Sequence, residues 1–197
     1  LGPTRIKKWL QKFGWGAKTG IDLPSENRGT LPSFGDDWRL GDTYHFSIGQ
    51  GYFAIPPLQV NVGFNAIANG GVLYQPRLVK KIIGEEEKPK EKKVIKEDVV
   101  SEEALRVVRQ GMKQTVTSPS GTAHLLNNLP VSAAAKTGTA EITSKDNHYH
   151  DWIVAFAPYE DPEIVLTVLV EKVEGDQVTA SLVAKDILKD YFSVDKK

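Results

Sequence analysis

At 197 residues, with 25 basic and 25 acidic side chains and no net charge, the chain lacks the cationic excess that nucleic-acid binding usually needs. Its 40% hydrophobic and 25% charged content is that of a globular protein of one domain or two small ones, and no run approaches the ~18 apolar residues of a membrane helix. Cysteine is absent, which excludes disulfides and thiolate metal sites.

The chain opens Leu1-Gly2-Pro3, without Met or a signal peptide, and reads as a fragment or a processed chain. Ile6, Trp9, Leu10 and Phe13 predict a helix over 4–13, capped by Thr4 and ended by Gly14 and Gly16. Residues 18–34 are rich in Gly, Pro, Ser and Asn and predict a loop. Within it Ile21-Asp22-Leu23-Pro24 is expected to be extended, because a residue before proline avoids the helical region. The glycines around Gln50 in Ser47-Ile48-Gly49-Gln50-Gly51 predict a tight turn or a close backbone approach. Pro56-Pro57 opens a helix to about Asn69, apolar on several faces and so buried, and Asn69-Gly70-Gly71 stops it.

Residues 72–74 and 78–83 read as short strands, and the charged stretch within 84–98 as a solvated loop or hairpin. Ser101 is expected to cap a helix with Glu102 and Glu103 in its first turn and Leu105, Val108, Met112 and Val116 as its buried stripe. A turn over 118–123 leads into a short helix ending near Asn127. The last part, 131–192, is expected to hold sheet strands and a C-terminal helix. Strands fall at 131–143, 152–157 and 164–170. The last two form an antiparallel hairpin, the final one an apolar run buried on both faces. Val178, Leu182, Val183, Ile187, Leu188 and Phe192 recur with helical period and are expected to cover one sheet face.

Lys-Thr-Gly occurs twice. Lys18-Thr19-Gly20 lies in a Gly/Pro loop and reads as incidental. Lys136-Thr137-Gly138 follows the small residues Ala133, Ala134 and Ala135 and is extended by Thr139. A fixed cation, two hydroxyls and room beside the backbone suit a carboxylate lying along an extended strand. His148-Tyr149-His150-Asp151 contains metal-ligand types, but without a third or fourth ligand nearby it reads as a polar loop joining two strands, and no metal site is expected. Glu85-Glu86-Glu87 reads as a solvated charge run, and Gln50 as shaping backbone near the site.

Ala135-Lys136-Thr137-Gly138-Thr139-Ala140 followed by Trp152-Ile153-Val154-Ala155-Phe156-Ala157-Pro158 resembles the third and fourth sheet strands of class B penicillin-binding proteins. Phe13-Gly14-Trp15-Gly16-Ala17-Lys18-Thr19-Gly20-Ile21-Asp22-Leu23-Pro24, then Ser47-Ile48-Gly49-Gln50-Gly51 with Pro57-Leu58-Gln59, then Gly121-Thr122-Ala123, agree in order and type with the elongation-type enzyme of that family. The resemblance implies an α/β (α+β) fold: an antiparallel sheet flanked by helices, of the penicillin-recognising serine transpeptidase and β-lactamase type, incomplete in this chain. It also implies a peptidoglycan D,D-transpeptidase that cross-links stem peptides ending in D-Ala-D-Ala and is acylated by β-lactams.

By that resemblance Lys136 and Thr139 are catalytic, and Thr137, Gly138 and Thr139 bind substrate. Lys136 assists proton traffic, and the Thr139 backbone N–H is one of two oxyanion donors. The family also uses Ser-x-x-Lys and Ser-x-Asn motifs. No Ser-x-x-Lys nucleophile is expected in this chain, and Ser132 and Ser181 have lysine four places on rather than the three that the motif requires. Ser25-Glu26-Asn27 fits Ser-x-Asn only on paper, since it follows the segment it should precede. The nucleophilic half of the site is therefore expected before Leu1, in the missing N-terminal part of the same protein, and this chain alone is expected to be inactive. No cofactor is implied. The expected partners are the stem peptide, β-lactams and a glycan-polymerising membrane protein, at the extracytoplasmic face of the bacterial membrane. The rival readings are a non-catalytic peptide-binding module and a serine β-lactamase or sensor relative.

Overall fold

A computed structural model describes residues 1–80, 83, 91–143, 148–175 and 178–193. They form two compact units, Leu1–Ala66 with Gly70–Ser101, and Ile67–Asn69 with the chain from Glu102 onward.

In the first unit, helix α1 spans Pro3–Lys12. Thr4 does not cap it. Gly2, at φ 77°, precedes the helix, and Pro3 occupies the first turn, where its fixed φ is already helical and its missing N–H costs nothing. A second helix, α2 (Leu40–Ser47), was not foreseen, because its apolar residues lack a single stripe and only Phe46 is buried. Asp42 starts it by accepting the Arg39 backbone N–H at 2.8 Å. Phe46 packs with Phe34, Trp38 and Phe53 at ring separations of 5.9–6.2 Å. Beyond α2, Gly49 and Gly51 take φ 78° and 82°, the tight turn expected around Gln50.

Helix α3 (Pro57–Ala68) carries Val62 and Ala66 into a small core with Leu73 and Val99, against which Phe13 and Leu58 pack. Gln59, 1% exposed, ties the preceding loop to this helix. Its Oε1 accepts the Gly16 N–H at 2.9 Å and its Nε2 donates to the Ala17 carbonyl at 2.8 Å. Strands β1 (Leu73–Tyr74) and β2 (Val94–Lys96) pair antiparallel.

The strand expected over 78–83 is absent at 78–80. There Asp22 accepts the backbone N–H groups of Leu78 at 2.6 Å and Val79 at 3.0 Å, donors a ladder would have used. Asp22 and Leu23 themselves bend, and Pro24 turns, rather than running extended. Residues 84–90 of the charged stretch lie outside the described residues.

In the second unit, helix α4 (Glu102–Thr117) buries Leu105, Met112 and Val116. Val108 is instead exposed, and Arg109 turns inward. Its guanidinium donates to the Ala68 and Tyr159 carbonyls and lies 5.1 Å from the Phe156 ring centroid. A forked cation satisfying two carbonyls and an aromatic face displaced the apolar residue next to it. A 3-10 helix, His124–Asn128, follows.

Strands β3 (Ala134–Thr143), β4 (His148–Ala157) and β5 (Ile164–Glu174) form an antiparallel sheet in the order β3-β4-β5. His148-Tyr149-His150-Asp151 is therefore strand, not loop: Asp151 pairs with Thr139, His150 with Ala140 and Tyr149 with Glu141. No metal-ligand cluster occurs among the described residues. β5 is half-buried rather than buried on both faces, because only β4 pairs with it among the described residues.

Helix α5 (Thr179–Ser193) lies on β4 and β5, but of the expected stripe only Leu188 and Phe192 pack on the core. Ala180, Ser181, Ala184 and Leu188 face the core, while Leu182, Val183 and Ile187 are exposed. Three small side chains let helix and sheet backbones approach closely, which a row of branched residues would forbid. Asp151, 1% exposed, accepts the Ala180 backbone N–H at 2.8 Å and so caps this helix from the sheet. The core joins Val116, Ala123 and Leu126 to Ala135, Ile153 and Ala155 of the sheet and to Ala180, Ala184 and Leu188.

Candidate functional site

Ala133, Ala134 and Ala135 are buried and anchor the start of β3. Beyond them the strand comes to the surface: Lys136 and Thr139 are exposed, and Thr137 and Gly138 half-exposed. Only β4 pairs with β3 among the described residues, so the motif lies on a strand edge. Alternation puts Thr137 and Thr139 on the face of Ala135 and Asp151, and Lys136 and Gly138 on the other. The motif thus shares an edge rather than a face, and an extended ligand along that edge meets both sets of side chains. The Lys136 ammonium donates to the Thr137 carbonyl.

Gly138 stands opposite Trp152. A methyl group there would meet Trp152 Cβ at 3.5 Å, an ordinary contact, so packing among the described residues does not demand glycine. Thr122, expected only as part of a turn and not as a site residue, joins this edge, with its hydroxyl 2.7 Å from that of Thr137. The signal was the Gly121-Thr122-Ala123 turn, but sequence alone does not tell which strand a turn touches.

Ser132 is not a partner of Lys136. Its hydroxyl donates to Glu160 and accepts the Tyr159 N–H at 3.0 Å. The Ser-x-x-Lys spacing does occur once, after the strand, at Ser193 and Lys196. Ser193 ends α5 with its hydroxyl turned back to the Lys189 carbonyl, and Lys196 lies outside the described residues.

The first Lys-Thr-Gly is structural. Glu26 accepts the Thr19 backbone N–H and hydroxyl, each at 2.6 Å, and the Gly20 N–H at 3.0 Å. Ser25-Glu26-Asn27 thus serves this clamp, with Ser25 at φ 61°. Burial pushes the Glu26 carboxyl up, but the Thr19 and Gly20 donors and the nearby Lys18 charge outweigh it and hold it below the usual carboxylate range. A depressed folded-state value stabilises the protein above the unfolded value, about 4.3, and that stabilisation is lost as pH falls through the folded value. Thermal melts between about pH 5 and 3 should therefore show a smaller acid-induced decline for Glu26→Gln than for the parent; matching declines would remove this role.

An antiparallel sheet with Lys-Thr-Gly-Thr on one edge and a C-terminal helix across its strands defines the serine acyl-transferase fold that recognises penicillin. Residues 1–192 match the transpeptidase domain of the penicillin binding proteins, and the chain belongs to that family. The peptidoglycan D,D-transpeptidase MrdA of Haemophilus influenzae is 30% identical over 98% of this chain and 33% of its own length. Penicillin-binding protein PBP2 of Helicobacter pylori, solved in complex with MreC, superposes with TM-score 0.79 and 32% identity over 98% of this chain and 36% of that one. Penicillin binding protein 3 of Mycobacterium tuberculosis, complexed with ampicillin, gives TM-score 0.83 and 27% identity over 98% of this chain and 46% of that one. The chain spans about a third of the length of the curated relative. No helix among the described residues is long and apolar enough to cross a membrane.

Proposed function

We propose that this chain is the C-terminal part of the transpeptidase domain of a peptidoglycan D,D-transpeptidase of the PBP2 type. The observation that carries the reading is the edge strand β3, which presents Lys136, Thr137, Gly138 and Thr139 in a chain of this family. A stem peptide ending in D-Ala-D-Ala adds along that edge. Thr137 and Thr139 hold its terminal carboxylate through hydroxyl donors, and Lys136 adds charge and assists proton movement. Gly138, which packing does not require, leaves room for the peptide backbone. The Thr139 N–H is one oxyanion donor, and the second comes with the attacking serine, supplied by the remainder of the domain.

That serine attacks the penultimate D-Ala carbonyl, releasing the terminal D-Ala, and the acyl group passes to an amine of a neighbouring stem. β-Lactams acylate the same serine. The whole protein acts at the extracytoplasmic face of the bacterial membrane, beside a partner that polymerises glycan. The relative solved in complex with MreC supports a protein partner for the whole enzyme.

Fluorescent penicillin tests this reading. The full-length protein should be labelled, with unlabelled β-lactam competing, and the isolated 197-residue chain should not. Labelling of the isolated chain would place the nucleophile within it. A full-length protein that resists labelling would instead be a non-catalytic peptide-binding module.

A further inference from the structure

We propose that Thr122 is a positioning residue for the carboxylate site, an inference that rests on the reading of β3 as the substrate strand. The Thr122 and Thr137 hydroxyl oxygens are 2.7 Å apart across a separation of 15 residues. At that distance one donates and the other accepts.

The turn that holds Thr122 is locked in place. The Gly121 N–H donates to the Ser118 carbonyl at 2.9 Å, the Ala123 N–H to the Thr115 carbonyl at 3.2 Å, and the His124 N–H to the Gly121 carbonyl at 3.0 Å. Ala123 is fully buried, and Leu126, just beyond, is core. Gly121 lies so near the end of α4 that a Cβ would fall 2.1 Å from the Thr115 carbonyl oxygen. Thr122 is exposed, but its backbone is anchored on both sides.

Thr137 is different, half-exposed on a strand edge with a hydroxyl that rotates about two bonds. The contact with Thr122 selects the side-chain rotamer and also the proton direction. When Thr122 donates to Thr137, the single Thr137 proton is left for an incoming carboxylate. The order Thr122 to Thr137 to carboxylate is then a chain in which each bond polarises the next. Without Thr122 the Thr137 hydroxyl has no fixed acceptor role, and its proton must be oriented at the cost of binding. Thr122 itself touches no substrate in this arrangement.

The test is a double-mutant cycle in the full-length protein, with the acylation kinetics of a carboxylate-bearing penicillin resolved into a pre-covalent dissociation constant and an acylation rate constant. Thr122→Val should weaken pre-covalent binding roughly 5–30-fold with little change in the acylation rate constant, and Thr122→Ser should restore it. In a Thr137→Val background the Thr122→Val change should add nothing, and melting temperatures should stay close to the parent's. An equal loss in both backgrounds, or no loss in either, overturns the inference. If Thr137→Val alone leaves binding unchanged, the carboxylate reading of β3 fails first and the inference falls with it, a result distinguishable before Thr122 is altered.

Discussion

Lys136→Ala in the full-length protein is expected to lower the second-order rate of acylation by fluorescent penicillin roughly 10²–10⁴-fold, the range for loss of a positioned proton-transfer group. The fold should survive. Lys136 is exposed, and among the described residues its ammonium donates to the carbonyl of its own neighbour Thr137, so truncation buries no orphaned polar group and opens no cavity. The anchoring of β3 lies in Ala133, Ala134 and Ala135 and in the backbone ladder to β4, where Lys136 pairs with Val154 through its main chain and not its side chain. A melting temperature close to the parent's, together with the kinetic loss, separates a chemical role from a structural one. Acylation at the parental rate would remove Lys136 from the catalytic machinery.

Gly121→Ala should have the opposite profile, with stability falling first. The added methyl group would sit 2.1 Å from the Thr115 carbonyl oxygen and 2.7 Å from its carbon, both backbone atoms of α4 that no side-chain rotation can clear. The turn has to move. It takes with it Ala123 and Leu126, which belong to the core shared with Ile153 and Leu188. Overpacking of this kind costs about 1–3 kcal/mol. For a chain of this size each kcal/mol lowers the melting temperature by roughly 2–4 °C. Calorimetry of parent and variant checks it, and a melting temperature unchanged within error would show that the turn can yield without disturbing the core.

The sheet was legible because its signals are local. A run of alanines into Lys136, the apolar stretch through Phe156 and the run from Ile164 each declare a strand without reference to anything distant. The family motifs placed the candidate site on one of those strands. What escaped depended on partners far away in sequence. His148 to Asp151 reads as polar loop until the ladder opposite Thr139 to Glu141 is known. Leu182, Val183 and Ile187 of α5 point outward because the inner face near the start of the helix is small where it lies against the sheet. Arg109, half-buried, turns inward in place of Val108 because two carbonyls and an aromatic ring await it. Thr122 looked like part of a turn because nothing in the sequence says that its hydroxyl meets Thr137.

Asp151 joins two of these features. It stands in register with Thr139 on one side and holds the first turn of α5 on the other. The inner face of that helix is mostly small, with Ala180, Ser181 and Ala184 beside Leu188, which lets the helix lie close on the sheet. Any enlargement at Ala180 or Ala184 pushes the helix outward, and the Asp151 tether passes that displacement to the strand pair carrying Thr139. Substitutions on the inner face of α5 therefore reach the edge strand that carries Thr139 through Asp151.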